Sequence, residues 1–275
     1  MLRFSTASGD ERLLVREYFE QVDDVRGKVV IDIPAGTGHL VHFLHAKGAN
    51  VEAFDLFPEL FEAKEITCKK ADLQQPLPVK DNHADYILCQ EGIEHLPNQL
   101  FALREFNRTL KNHGVLIVTT PSASHLRAKL SHLLLESEMY NRFPENELNG
   151  LWFSKSNDMY YGHLFLVGIQ RLRVLARVAG FRIRKIHPVK ISYSSLALAF
   201  LYPLILLMNL FAYYLGRRRD QHIDAETKRD VYREIMKLNL HPTILFGKHL
   251  FIEFEKEKEL NEAILKVHKP KASIC

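Results

Sequence analysis

The sequence predicts an α/β protein with a doubly wound, mostly parallel sheet of seven strands. Three observations carry that prediction. Short apolar β-branched runs alternate with amphipathic helical patterns over the first 121 residues. A glycine turn follows the first run, and a helical pattern follows the turn. Two more strand-like runs come late, at residues 181–187 and 249–255. Strand–helix alternation implies right-handed βαβ units, and hence three layers with helices on both faces of the sheet.

Residues 11–22 (ERLLVREYFEQV) read as an amphipathic helix, and residues 28–33 (KVVIDI) as a buried strand. Pro34-Ala35-Gly36-Thr37-Gly38 is a turn into a helix that runs to Lys47 and stops at Gly48. Residues 51–54 form a second strand ending at Asp55, and residues 66–69 read as a third. Residues 85–89 (DYILC) are a fourth, 100–111 a helix stopped at His113-Gly114, and 115–120 (VLIVTT) a fifth strand ended by Pro121. Residues 122–162 lose this periodicity and read as a helical cap. A helix over 168–179, stopped by Gly180, leads to the alternating run at 181–187.

Composition narrows the class. The chain has 275 residues, 47% hydrophobic and 25% charged, which is ordinary globular composition. Three cysteines, Cys68, Cys89 and Cys275, without a CxxC pair argue against zinc and against a disulfide framework, and suit a reducing cytoplasm. Residues 1–10 show no apolar segment of a secretory signal. A net charge of +4 with no arginine-rich arm argues against nucleic acid as a partner.

The strand–glycine turn–helix unit is a cofactor-binding device. Glycines admit close backbone approach, and the helix N-terminus offers free N–H groups. Asp55 follows Gly36 by nineteen residues, where an acid accepts hydrogen bonds from ribose hydroxyls. A dinucleotide site wants a third small residue, and Val41 stands at that place, which weighs against NAD. A purely structural turn is the remaining alternative for the loop taken by itself.

Together the motifs resemble the class I S-adenosylmethionine-dependent methyltransferases. Asp32-Ile33-Pro34-Ala35-Gly36-Thr37-Gly38 matches their first motif, with Pro34 where a glycine is usual and one N–H donor therefore missing. Ala71-Asp72-Leu73 looks like the adenine segment, residues 85–96 (DYILCQEGIEHL) like the fourth-strand motif, and residues 110–116 like the turn into the fifth strand. The resemblance covers residues 26–121 closely and 160–190 loosely. It implies a Rossmann-like fold whose sheet ends in an antiparallel pair, placed at 181–187 and 249–255. It implies S-adenosyl-L-methionine as cofactor, held by Asp32, Pro34, Ala35, Gly36, Gly38, Asp55, Leu56, Asp72, Leu73 and Gln90. The catalytic domain would comprise residues 1–190 and 245–258, with 191–244 an apolar helical insertion and 259–275 a tail.

The acceptor chemistry falls to residues after the fourth strand. Glu91, Glu94 and His95 are spelled E-x-x-E-H, and on a helical turn they would share one face. The same spelling in quinone-biosynthesis O-methyltransferases and small-RNA 2′-O-methyltransferases resembles a metal site that a later histidine completes. That resemblance implies a Mg²⁺ site of Glu91, Glu94, His95 and His163, with Glu94, His95 and His163 as the catalytic group. The plainer alternative is that Glu94 orients a helix and a histidine serves as a general base without metal. His39, His42 and His45 recur every three residues with no acid between them and read as one helix face.

Residues 191–216 are twenty-six positions without a charge, followed by Arg217-Arg218-Arg219. The run is long enough to span a bilayer. It lies, however, between two strands expected to pair, and Pro203 favours a kink or helical hairpin. The expectation is a monotopic element in the inner leaflet, arginines at the headgroups, with a buried helix of the domain or a dimer interface as the alternatives. It points to O-methylation of a lipid-linked acceptor, either an envelope glycan or a quinone precursor. RNA 2′-O-methylation and a non-catalytic cofactor-binding module are the alternatives.

Overall fold

The structure is a computed structural model that describes residues 11–22, 24–137, 143–153, 159–218 and 225–262. The predicted residues 1–10, parts of the cap (138–142 and 154–158), Arg219, and the tail beyond 262 with Cys275 lie outside the described residues. Nine strands are described: β1 Val29–Asp32, β2 Asn50–Asp55, β3 Lys69–Lys70, β4 Ala84–Gln90, β5 Leu110–Pro121, β6 Leu151–Phe153, β7 Met159–Tyr161, β8 Phe181–Ile186 and β9 His249–Lys256. The α-helices are α1 Glu11–Gln21, α2 His39–Ala46, α3 Gln99–Thr109, α4 Leu126–Leu135, α5 Ile169–Val178, α6 Tyr193–Leu196, α7 Tyr202–Arg218, α8 Ala225–Asn239 and α9 Pro242–Phe246.

Seven strands form one sheet in the order β3-β2-β1-β4-β5-β9-β8. The first five are parallel, and β9 is antiparallel to both neighbours, so the predicted seven strands and the antiparallel end pair are both present. Strand alternation builds the layers. Ile31, Ile87, Leu116 and Val118 point into the core under α3 and α5, whereas Val30, Leu88, Val115 and Ile117 point into the core under α1 and α2. The strand order reverses between β1 and β4, the place where open α/β sheets bind ligands beyond the carboxyl ends of their strands.

Four expectations need correction. The third strand is two residues, Lys69–Lys70, because only Phe54 and Asp55 offer it a partner at an exposed, lysine-bearing edge. The helix over 100–111 ends at Thr109, since Leu110 already pairs with Ala84 and its carbonyl accepts from the buried Lys256 Nζ at 2.9 Å. The cap is not helical throughout: α4 is followed by the β6–β7 hairpin, whose register places Trp152 opposite Tyr160. Pro203 is the second residue of α7 rather than a mid-helix kink, a position where its missing N–H costs nothing.

The apolar stretch folds into α6, a short 3-10 turn at Ala199–Leu201, and α7. Ala199–Arg218 is long and apolar enough to cross a membrane by length and composition, and it is not buried against the protein. Phe200, Leu207 and Phe211 are more than half exposed, at 73%, 58% and 56%. One side of α7 meets α8, where Tyr213 and Tyr232 pack edge to face and Asn239 Nδ2 donates to Asn209 Oδ1 at 2.7 Å. An antiparallel bridge between Ile191 and Gly247 joins the two ends of this excursion.

Candidate active site

Asp32 with the glycine turn, Asp55, Asp72 and the Glu91–His95 segment all lie at or just after the carboxyl ends of parallel strands. β1 delivers Asp32, and the turn 33–38 carries the chain over the edge. Gly36 and Gly38 both have positive φ, 54° and 80°, which non-glycine residues adopt only at a cost. A Cβ on Gly38 would come 2.5 Å from the Phe61 ring, whereas one on Gly36 would meet nothing within 4 Å. The outer side of the loop is thus open. Pro34 forgoes an N–H, yet Ala35 N still donates to Phe54 O at 2.9 Å and the loop stays registered on β2.

Asp55 at the end of β2 is buried, and each carboxylate oxygen already accepts one backbone N–H at 2.8 Å, Oδ1 from Phe57 and Oδ2 from Gly36. A carboxylate has about four lone-pair sites, so two remain for a vicinal diol. Leu56 continues this rim, half-buried. Across the site Asp72 caps its own turn, Oδ1 accepting from Gln74 N at 2.8 Å, while Ala71 and Leu73 are core residues.

Asp32 is fully buried, and burial with the nearby Asp55 charge raises its pKa to about 7 despite the hydrogen bond from Gln90 Nε2 at 3.4 Å. Gln90 Oε1 is buried with no hydrogen-bond partner among the described residues. A buried carboxyl beside an unpaired carbonyl oxygen suits an ammonium group, whose charge would offset the burial that disfavours the carboxylate. A diol-binding acid, an open glycine loop and an ammonium site are what S-adenosylmethionine requires, and these residues fit it.

After β4 the chain turns sharply. Glu91 adopts a left-handed conformation, φ 46°, while its N–H still pairs with Thr119 O, so only Ile93–His95 form a 3-10 turn. Glu91, Glu94 and His95 therefore do not share one helical face. Glu91 turns instead to His249, with Oε2 3.5 Å from Nε2. Glu94, His95 and His163 do come together, with one ligand-capable atom of each lying within 4.8 Å of the others.

Glu94 is completely buried. Thr120 Oγ1 donates to its Oε2 at 2.9 Å, and Oε1 has no hydrogen-bond partner among the described residues. Burial and then the Glu91 charge raise its pKa to about 8. His95 Nδ1 lies 2.9 Å from Tyr161 O and 3.0 Å from Gly162 O. Both are acceptors, so Nδ1 carries the proton and Nε2, 4.0 Å from Glu94 Oε1, presents a lone pair. The His163 ring lies 5.1 Å from that of His95. Two of the three donors are imidazoles, whereas Mg²⁺ prefers an all-oxygen set; the donor chemistry does not fit the implied Mg²⁺.

Four supporting residues escaped sequence reasoning. Gln99 Nε2 donates to Ile93 O at 3.0 Å and to Phe165 O at 2.7 Å, tying the 3-10 turn to the His163 segment. Thr120 anchors Glu94, Gly92 lies against Pro34, and Trp152 flanks the histidines. Only Thr120 had a signal, a polar pair closing an otherwise apolar strand. The other three act through partners distant in sequence. His39, His42 and His45 line the exposed side of α2, as their spacing predicts, with Leu40, Val41 and Leu44 beneath.

Residues 10–186 match the model of a methyltransferase domain. The chain belongs to that family. This places it in the class I S-adenosylmethionine-dependent methyltransferase family, as the resemblance implied. The methyltransferase is 29% identical over 106 residues to a ubiquinone biosynthesis O-methyltransferase of Xanthomonas oryzae pv. oryzae, covering 35% of this chain and 44% of that protein. It is 28% identical over 130 residues to a malonyl-[acyl-carrier protein] O-methyltransferase of Hamiltonella defensa, covering 45% of this chain and 50% of that one. The chain thus spans half or less of the length of these two relatives. A methyltransferase structure from Archaeoglobus fulgidus, described as dependent on the same cofactor, shares the fold at 15% identity, with a TM-score of 0.52 over 90% of this chain and 95% of that one.

Proposed function

We propose that this methyltransferase methylates a hydroxyl oxygen of a lipid-linked acceptor at the inner face of a membrane. One observation carries the oxygen reading: the fixed tautomer of His95. Two backbone carbonyls hold the proton on Nδ1 and leave Nε2 as a base beside a buried carboxyl. A hydroxyl must lose a proton when its oxygen is alkylated, and His95 Nε2 is placed to take it. S-adenosylmethionine, when bound, supplies the electrophilic methyl group. Asp55, Asp32, Gln90 and the glycine loop hold and orient it. Glu94 Oε1, 4.0 Å from His95 Nε2, and His163 bound the space in front of that base. The two relatives described above are O-methyltransferases by name, which supports oxygen as the acceptor atom.

The membrane part of the reading rests on α7. Its exposed Leu204, Leu207 and Phe211, with Phe200 of the preceding 3-10 turn, form an apolar surface, and Arg217 and Arg218 at its end suit anionic headgroups. An enzyme held at a leaflet meets acceptors that carry a lipid anchor.

The test is methyl transfer from labelled S-adenosylmethionine into a membrane lipid extract, with and without EDTA. Labelled lipid whose label survives as a methyl ether is the expected product, unaffected by EDTA. His95→Gln should lower kcat by about 10²–10⁴, the usual contribution of a general base. Label on nitrogen or carbon, or an unchanged His95→Gln enzyme, would overturn the reading. Loss of activity in EDTA would replace the base by a metal-bound hydroxyl.

A further inference from the structure

The β6–β7 hairpin carries a feature that proton transfer does not use. Trp152 is the single tryptophan of the chain. Its indole lies 5.7 Å from the His95 ring, 5.9 Å from the His163 ring and 5.7 Å from Tyr160. Tyr160 lies 4.9 Å from Phe57, two residues after the ribose acid Asp55. Rings therefore run without a break from the cofactor rim to the histidine pair, at spacings in the range of mutual aromatic attraction.

The indole is held in place. Its Nε1 donates to Asn149 O at 3.1 Å, and Gly162 lies so near that a Cβ there would come 3.2 Å from Trp152 Cε2. Trp152 is nevertheless 40% exposed. A large apolar ring, oriented by a hydrogen bond and left partly uncovered beside the base, is the form of a stacking surface.

We infer that Phe57, Tyr160 and Trp152 form the acceptor-ring subsite, and that it takes a planar phenolic ring with its hydroxyl directed at His95 Nε2. The inference rests on the O-methyl-transfer reading and deepens it by choosing the acceptor class. Two arguments favour a phenol over a sugar. The wall is mostly apolar ring surface, and two of its polar handles are already spent, Trp152 Nε1 on Asn149 and His95 Nδ1 on the carbonyls of Tyr161 and Gly162. A sugar ring brings several hydroxyls that would go unpaired against such a wall, at a cost for each, whereas a phenol brings one or two. A phenolic hydroxyl also ionises near the tyrosine value of about 10, close enough for an imidazole to assist, while an aliphatic alcohol holds its proton far more tightly.

Because Trp152 is the single tryptophan, its emission reports the subsite directly. The full-length protein, saturated with S-adenosylhomocysteine, is titrated with 3,4-dihydroxybenzoate and separately with methyl glucoside. The expected result is a saturable quench and shift with the catechol and none with the glucoside. Trp152→Leu should raise KM for the catechol by about tenfold or more, leave the Kd for S-adenosylhomocysteine within about twofold, and be largely rescued in Trp152→Phe. Catechol methylation with unchanged Trp152 emission, or an unchanged KM in Trp152→Leu, would overturn the subsite. A response to the glucoside alone would overturn the phenol and leave the O-methyl reading standing. Failure to bind S-adenosylhomocysteine at all would remove that parent reading, and the subsite with it.

Discussion

Gly92 lies so close to Pro34 that a Cβ at position 92 would stand 2.5 Å from the proline Cδ. The glycine loop after β1 and the turn after β4 are thereby in contact across the strands that carry them. Pro34 replaces the usual glycine of the first motif, and Gly92 provides the room its ring needs. Gly92→Ala should push the loop outward. Overpacking costs about 1–3 kcal/mol, so calorimetric titration with S-adenosylhomocysteine should show affinity weakened by roughly five- to 150-fold. Combining it with Pro34→Gly should recover most of that loss, as a double-mutant cycle would reveal. Equal losses in the single and double variants would mean that the contact does not position the loop.

The Asp55 oxygens hold Gly36 N and Phe57 N, and the proposed ribose contact would be a second task for the same carboxylate. Asp55→Ala removes both acceptors and the diol site together. Each lost partner of a buried group costs about 1–3 kcal/mol, so S-adenosylhomocysteine binding should weaken by about a hundredfold or more. Normal affinity in that variant would refute the ribose assignment.

Asp32 gives the methyltransferase a pH signature. Burial raises its pKa to about 7 in the folded protein, against 3.8 ordinarily. Between those values the folded state keeps a proton that the unfolded chain has lost, so Asp32 withdraws stability as pH rises from about 4 to 7 and adds no slope above that. Asp32→Asn should show a smaller fall in Tm between pH 4.5 and 7.5 than the parent protein. Cofactor affinity should move the other way in the parent, tightening from pH 6 to 8 as the carboxylate ionises opposite the ammonium, and Asp32→Asn should be weaker and flat. Parallel pH profiles for the two proteins would contradict both statements.

The exposed face of α7 can be altered without disturbing the core, since Leu207 and Phe211 are both more than half exposed. Leu207→Glu with Phe211→Glu should abolish co-sedimentation with vesicles containing anionic lipid while leaving S-adenosylhomocysteine affinity unchanged. Arg217→Glu with Arg218→Glu should weaken binding to anionic vesicles only, and salt should mimic that change. If the parent protein does not sediment with any vesicle, α7 covers a protein surface instead.

The sheet was readable in the sequence because its signals are local. Apolar β-branched runs, the stops at Gly48 and Gly180, and the glycines of the 34–38 turn each act within a few residues, and the acids Asp32 and Asp55 follow from strand ends. The same locality explains the misreadings. Leu110 leaves its helix for a partner on β4, and β3 is cut to two residues by what β2 can pair.

What the sequence by itself determined was the fold class, the glycine loop and the family. Tertiary structure decided which members of E-x-x-E-H act together. Glu91 has the spacing but turns to His249, while Glu94 is met by Thr120, 26 residues away, and by His163. It also decided the tautomer of His95, through carbonyls 66 and 67 residues distant, and brought Trp152 beside that ring. The physical reason is that spacing along a chain predicts neighbours only within a helix or strand. A site assembled at the open ends of several strands depends on how the sheet brings those ends together.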